Sequence, residues 1–287
     1  MRISVKPLHG REYYVNVPAR PWSAEPWCDP LVHRTSRAAQ GKPMVRRRLG
    51  ATFQSTSAVP GRRNDNDITA TTERKRVKLY SYFRSSAAYR VRIALNLKGV
   101  AYETVPIHLT RDGGRQNSVE YRAINPQMRV PALVLDSGEV LVQSLAIISY
   151  IDEVFRDPPL LPADPVARAR SRGIAEIVAC DIHPINNLVT LNYLRASLGH
   201  DQADIDAWYA HWIVSGFAAI EAMIEPGPYA LGANVGIADL AIVPQVFNAR
   251  RYKLALDAFP KILAVEAACL KLPAFDRARP ENQPDAE

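Results

Sequence analysis

Tyr80-Ser81-Tyr82-Phe83-Arg84-Ser85-Ser86-Ala87-Ala88-Tyr89-Arg90-Val91-Arg92-Ile93-Ala94-Leu95 is the stretch that decides the fold. An alternating apolar run leads into it, with Val77 and Leu79 on one face and Tyr80 and Tyr82 on the other. The alternation stops at two serines. A helical spacing then begins, with Tyr89, Ile93 and Leu97 four residues apart. Ser85 or Ser86 stands where a helix N-cap belongs. A strand that feeds a serine-capped helix aims hydroxyls and free backbone N–H groups at one spot. Such a spot favours an anion, and a thiolate is an anion.

Downstream the pattern continues in kind. The strand is read over residues 77–82 and the helix over 87–98, closed by Gly99. Residues 102–107 read as a strand, 109–114 as a polar loop with a Gly-Gly pair, and 118–124 as a short helix stopped by Asn125-Pro126. Residues 129–135 form the next strand. The turn Asp136-Ser137-Gly138 returns the chain as a strand over 139–142. A helix over 145–155 follows, with Ser144 as its N-cap. The order βαβ-α-ββα over 77–156 is that of a thioredoxin-like α+β domain. Pro131 opens an apolar strand, so a cis bond between Val130 and Pro131 is expected, with the Val130 backbone offered to an extended peptide.

A proline-rich linker, 157–164, separates this domain from an all-α remainder, 165–287. A long helix over 166–197 is expected to kink at Pro184, beside His183. A second, 202–224, places Trp208, Trp212, Ser215, Ala219 and Met223 on one stripe. Two more are read over 237–250 and 260–271, and the chain beyond Pro280 as irregular. Both tryptophans, Cys180 and Cys269 read as core residues.

Net charge narrows the partners. Of a formal +7, residues 1–76 carry 15 Lys/Arg against 6 Asp/Glu, a net of +9. The other 211 residues carry 21 against 23, a net of −2. The body therefore has no electrostatic case for nucleic acid. Residues 1–76, rich in Pro, Arg and Ser, read as a disordered basic extension or as the product of a translation start placed too far upstream. An organelle-targeting or polyanion-binding arm is the functional alternative. The three cysteines have no metal or CxxC spacing, so no metal is expected. The sequence has neither an apolar run of about 18 residues nor a secretory h-region. No membrane association is expected, and a cytoplasmic location is.

Four motifs occur in order: Tyr80-Ser-Tyr-Phe-Arg-Ser-Ser-x-x-x-Arg-Val-Arg, Asn125-Pro-x-x-x-Val-Pro-Ala-Leu, Gln143-Ser-Leu-Ala-Ile-Ile-x-Tyr and Val243-Pro-Gln-Val-x-Asn-Ala-x-Arg. Over 77–285 the chain resembles the zeta-class glutathione transferases, which include the maleylacetoacetate isomerases. The resemblance implies a homodimer, with glutathione bound in the first domain and a small acidic cis-enedione held between the domains. It implies that Ser85 faces the glutathione sulfur, with Ser86 supporting it. Val130, beside Pro131, would pair with the cysteinyl backbone, and Gln143 and Ser144 would hold the γ-glutamyl carboxylate over a helix N-terminus. Arg84, His183, Arg250 and Arg251 are the candidate cations for the acidic substrate, and Arg84 also flanks the sulfur. His108 is a weaker candidate at the glutathione edge.

The implied activity is conversion of maleylacetoacetate to fumarylacetoacetate in tyrosine and phenylalanine breakdown. The rivals are maleylpyruvate isomerisation, general transferase or haloacid chemistry, and a non-catalytic binding scaffold. The class usually has Cys where this chain has Ala87, which shifts weight onto Ser85. It has Thr or Ser at Gly236, the start of a capping box ending at Asp239.

Overall fold

The computed structural model describes residues 2–5, 13–16 and 77–287. Within the basic extension it gives two short antiparallel strands, β1 (Arg2–Val5) and β2 (Tyr13–Asn16). The rest of the extension lies outside the described residues.

From Val77 the order matches the sequence reading. The strands are β3 (Val77–Ser81), β4 (Tyr102–Pro106), β5 (Ala132–Val134) and β6 (Val140–Val142). They form one sheet in the order β4-β3-β5-β6, with β3 parallel to β4 and the other pairs antiparallel. Helices α1 (Ser86–Leu97), α2 (Val119–Ile124) and α3 (Ser144–Val154) complete the thioredoxin-like half. Leu79, Val91, Leu95, Leu133, Ile147 and Ile151 are buried in its core. Each contributes about 1.5–3 kcal/mol through burial. Gly99, at φ +64°, follows the end of α1 in the left-handed conformation that a side chain would strain. The Val130–Pro131 bond is cis, as expected; the Asp157–Pro158 bond is also cis.

The proline-rich linker is tied down. The buried ammonium of Lys98 bonds Asp152 Oδ1 and the Pro158 carbonyl, each at 2.6 Å. Asp152 Oδ1 also accepts the Leu160 N–H, and the Leu160 carbonyl accepts the Ile237 N–H, both at 2.9 Å.

The helical half comprises α4 (Pro165–Glu176), α5 (Leu188–Ala196), α6 (Gln202–Met223), α7 (Ile237–Arg251), α8 (Pro260–Cys269) and α9 (Pro273–Ala278). Three sequence expectations fail here. The long helix over 166–197 is not merely kinked. It passes from α4 into a π-turn, Ile177–Ile182, breaks at His183-Pro184, and restarts as α5, whose N-cap Asn187 accepts the Val189 and Thr190 N–H groups. Pro184 has no N–H to continue the ladder, and the Asn187 side chain supplies a new start. On α6 the buried face is Ile205, Tyr209, Ile213, Phe217 and Ile220. The tryptophan stripe is the more exposed side, with Trp208 and Trp212 half-buried at its edge, because a helix with apolar residues nearly all round does not announce its inner face. Cys269 is buried, whereas Cys180, on the π-turn, is exposed.

Candidate active site

The chain leaves β3 at Ser81 and turns through Tyr82, Phe83 and Arg84 into α1. The Ser85 N–H bonds the Tyr82 carbonyl at 2.9 Å, closing that turn. Ser85 is the N-cap of α1, and its Oγ accepts the Ala88 N–H at 3.2 Å. That bond uses only the acceptor side of the Ser85 hydroxyl, which lies at the positive end of a three-turn helix. Ser86 is buried one residue on. Its Oγ receives Asn248 Nδ2 at 3.2 Å and lies 3.4 Å from the Pro244 carbonyl. Asn248 in turn accepts the Tyr209 hydroxyl, and Tyr209 stacks on Tyr252 with ring centres 3.5 Å apart. These contacts lock the start of α1 to α6 and α7.

A cleft of about 250 Å³ opens over this corner. Arg84, Ser85, Ser86, Val130, His183 and Arg251 all line it. Its helical wall adds polar groups that sequence reasoning did not single out, among them Asn186, Gln245 and Asn248. Among the described residues, Asn186 Oδ1 and Gln245 Oε1 are buried without a hydrogen-bond partner, so each is an acceptor available to a ligand. Gln245 stands inside the quoted Val243-Pro-Gln motif, which was the one signal that could have found it.

A second cavity of about 180 Å³ adjoins the first, and the two share Arg129, Val130, His183 and Asn187. Gln143, Ser144, Pro131, Ala87 and Arg90 line it. Ser144 is not the cap of α3. It is the first helical residue, and Gln143 takes the N-cap position at φ 70° with no side-chain cap bond. The Ser144 hydroxyl instead accepts Arg90 Nη1 at 3.2 Å, while Gln143 Nε2 bonds Gln127 Oε1 at 2.8 Å. Arg90 is the residue the sequence reading passed over. It is 1% exposed, and its Nε and Nη2 have no partner among the described residues. Burial pushes its pKa down to about 10, which still leaves it charged near neutrality. A buried guanidinium with unmade hydrogen bonds beside a cavity fits a carboxylate.

The four candidate cations separate. Arg84 is exposed at the cleft mouth, its guanidinium 4.8 Å from the Phe83 ring centre. Arg251, also exposed, lines the same cleft, 5.9 Å from the Tyr252 ring centre, and borders the cavity beside Arg250 as well. Arg250 faces away: it pairs with Glu266, itself mostly buried, and borders a different cavity between α7 and α8. His183 is in the cleft but is not a cation. Burial, then the Arg90 and Arg129 guanidiniums, push it down to about 3, so it offers a neutral imidazole. His108 borders the Leu109–Thr110 wall, where its Nε2 lies 2.9 Å from Glu287 Oε1. Among the described residues there is no cluster of His, Cys, Asp or Glu suited to a metal, and no helix long and apolar enough to cross a membrane.

Residues 75–153 match the family described as "Glutathione S-transferase, N-terminal domain". The chain is 49% identical over 209 residues to the maleylacetoacetate isomerase of Pseudomonas aeruginosa, covering 73% of this chain and 98% of that protein. Its fold is similar to the holo structure of a maleylpyruvate isomerase described as a bacterial zeta-class glutathione transferase. That similarity has a TM-score of 0.71 at 47% identity and covers 73% of this chain and 100% of the other. It is likewise similar to a maleylacetoacetate isomerase of Methylobacterium extorquens AM1 with bound malonate and glutathione. Here the TM-score is 0.70 at 38% identity, over 73% of this chain and 99% of the other.

Proposed function

Because the chain belongs to the zeta-class glutathione transferases, the family of the maleylacetoacetate isomerases, we propose that its cleft isomerises the cis double bond of maleylacetoacetate to give fumarylacetoacetate. The protein is a glutathione-dependent cis–trans isomerase. The observation that carries this reading is the pair of adjoining cavities, one with a free serine hydroxyl at a helix start, the other with a buried, unsatisfied arginine.

Bound glutathione supplies a thiolate that adds reversibly to the conjugated double bond and leaves unchanged once the bond has rotated. The chain's residues hold that thiol ionised and grip two acids. Arg90 and Ser144 take the γ-glutamyl carboxylate, with Gln143 at the rim. The Val130 backbone pairs with the cysteinyl peptide. Ser85 donates a hydrogen bond from its hydroxyl to the ionised sulfur at the N-terminus of α1, keeping its proton. A free thiol of pKa about 8.5 is mostly protonated at neutral pH, and a donor plus a helix terminus favours the anion. Ala87 lines the carboxylate cavity and not the sulfur cleft, so the hydroxyl carries thiol activation. Arg84 and Arg251 hold the substrate's acid ends. Neutral His183, Asn186 and Gln245 supply uncharged hydrogen bonds between them.

The similarity to a maleylpyruvate isomerase supports a second reading, the same chemistry on a shorter acid. Turnover of both acids by one preparation separates them: maleylacetoacetate is expected to lead, and a more than roughly tenfold advantage for maleylpyruvate in kcat/KM reverses the assignment. Absence of glutathione binding in a calorimeter would point to a silent scaffold. The enzyme is further proposed to be a cytoplasmic homodimer. Val140, Val154 and Phe155, exposed apolar residues at β6 and the end of α3, supply area for pairing.

A further inference from the structure

The turn that carries Ser85 is held from outside the cleft. Arg92 is fully buried on α1. Its guanidinium donates to Ser81 Oγ at 3.1 Å, to the Tyr82 carbonyl at 3.4 Å and to the Phe83 carbonyl at 3.0 Å. Its Nε donates to the carbonyl of Ala278, the last residue of α9, at 3.0 Å. Beyond α9 the chain doubles back under further bonds. Gln283 Nε2 donates to the Arg277 and Arg279 carbonyls at 2.9 and 2.8 Å, and Asn282 Nδ2 to the Asp276 carbonyl at 2.8 Å. This return brings Asp285 Oδ2 to 3.0 Å from the Phe83 N–H. Phe83 therefore has its N–H on Asp285 and its carbonyl on Arg92. Two residues later Glu287 Oε1 reaches the facing loop, 2.9 Å from His108 Nε2 and 2.8 Å from Arg111 Nη2. Neither carboxylate lines the cleft.

We infer that Asp285 is a positioning residue for the reaction: through the Phe83 N–H it fixes the turn that places Ser85 Oγ against the glutathione sulfur, while Glu287 fixes the opposite loop. The Tyr82 carbonyl, which closes the Ser85 turn, is one of the groups Arg92 holds, so clamp and turn share an atom. Misplacing a reacting group by about one ångström costs orders of magnitude in rate. The segment 278–287 thus acts on the chemistry without touching it.

The inference rests on the reading of Ser85 as partner of the sulfur, and the test separates the two. Asp285→Ala removes the acceptor, and Asp285→Asn keeps one for the Phe83 N–H. In Asp285→Ala, amide exchange at residues 82–85 of the unliganded protein is expected to speed up while that of α6 and α7 stays unchanged. The thiol pKa of bound glutathione, followed by thiolate absorbance against pH, is expected to rise by about one unit. kcat is expected to fall about tenfold with the KM for glutathione little altered, and Asp285→Asn is expected to recover most of it. Wild-type exchange at 82–85, or faster exchange over the whole fold, overturns the inference. So does a wild-type thiol pKa in a variant whose turn has loosened. Ser85→Ala is the control: if it leaves the bound thiol pKa unaltered, the Ser85 reading fails, whereas local exchange in Asp285→Ala reports on the clamp independently.

Discussion

Ser85 serves two roles that one substitution can separate. As an N-cap its loss to Ala costs about 1 kcal/mol of stability, but glycine costs only a few tenths. Ser85→Gly is therefore expected to keep the melting temperature close to wild type. It should lower glutathione-dependent kcat/KM by about 30- to 100-fold, the worth of a hydrogen bond to a charged sulfur. Paired unfolding and turnover measurements check both halves, and undiminished turnover would move thiol activation elsewhere. The adjacent arginines of α7 are expected to behave oppositely. Arg251→Gln raises KM for the acidic substrate by about tenfold through loss of a charge in the cleft. Arg250→Gln leaves KM unchanged and lowers stability, because it strands the Glu266 carboxylate, 7% exposed, without its partner. If the two variants exchanged these phenotypes, the assignment of the cleft to Arg251 would be wrong.

At the scale of elements, the break between α4 and α5 places His183 in the cleft and sets its charge. Its folded pKa of about 3 lies below the ordinary 6.5. As pH falls through about 6.5 the unfolded chain takes up a proton that the folded ring refuses until about 3, so stability falls over that window. Asp239 acts in the opposite direction: burial pushes its carboxyl up to about 6, against the backbone N–H groups it accepts, including those of Ala230 and Gly236. Urea unfolding at pH 7 and pH 5 should therefore compare wild type with His183→Gln, expecting the variant to lose less on acidification. Equal losses would place a proton on the folded imidazole. Gly236 has no hydroxyl to return the capping bond, so the start of α7 is held by the Asp239 carboxylate together with the Leu160 carbonyl, which accepts the Ile237 N–H. Asp239→Ala leaves buried N–H groups unpaired and is expected to cost about 2–4 kcal/mol in denaturant unfolding.

For the whole molecule, 73% of the chain matches 98% of the Pseudomonas aeruginosa isomerase, which leaves the basic extension without a counterpart in that protein. A chain spanning 77–287 is expected to turn over at the full-length rate; loss of turnover would give the extension a part in the chemistry. The sheet and helices of this body differ in how clearly the sequence announced them. Strands bounded by turn residues, the two-serine helix start and the proline-rich linker were legible because each is fixed by neighbours in sequence. The buried face of α6 was not, because its apolar residues nearly encircle it.

The sequence by itself determined the fold class, the family resemblance, and the placing of Ser85 at the start of α1, since capping, alternation and turn chemistry are local. Only the tertiary structure decided which charges face the cleft. It paired Arg250 with Glu266 and left Arg251 on the wall of the cleft, kept His183 neutral under the charges of two guanidiniums, buried Arg90 with donors to spare, and brought Asp285 to the amide of Phe83. Those outcomes depend on burial and on contacts between residues far apart in the chain, and neither is carried by a short stretch of sequence.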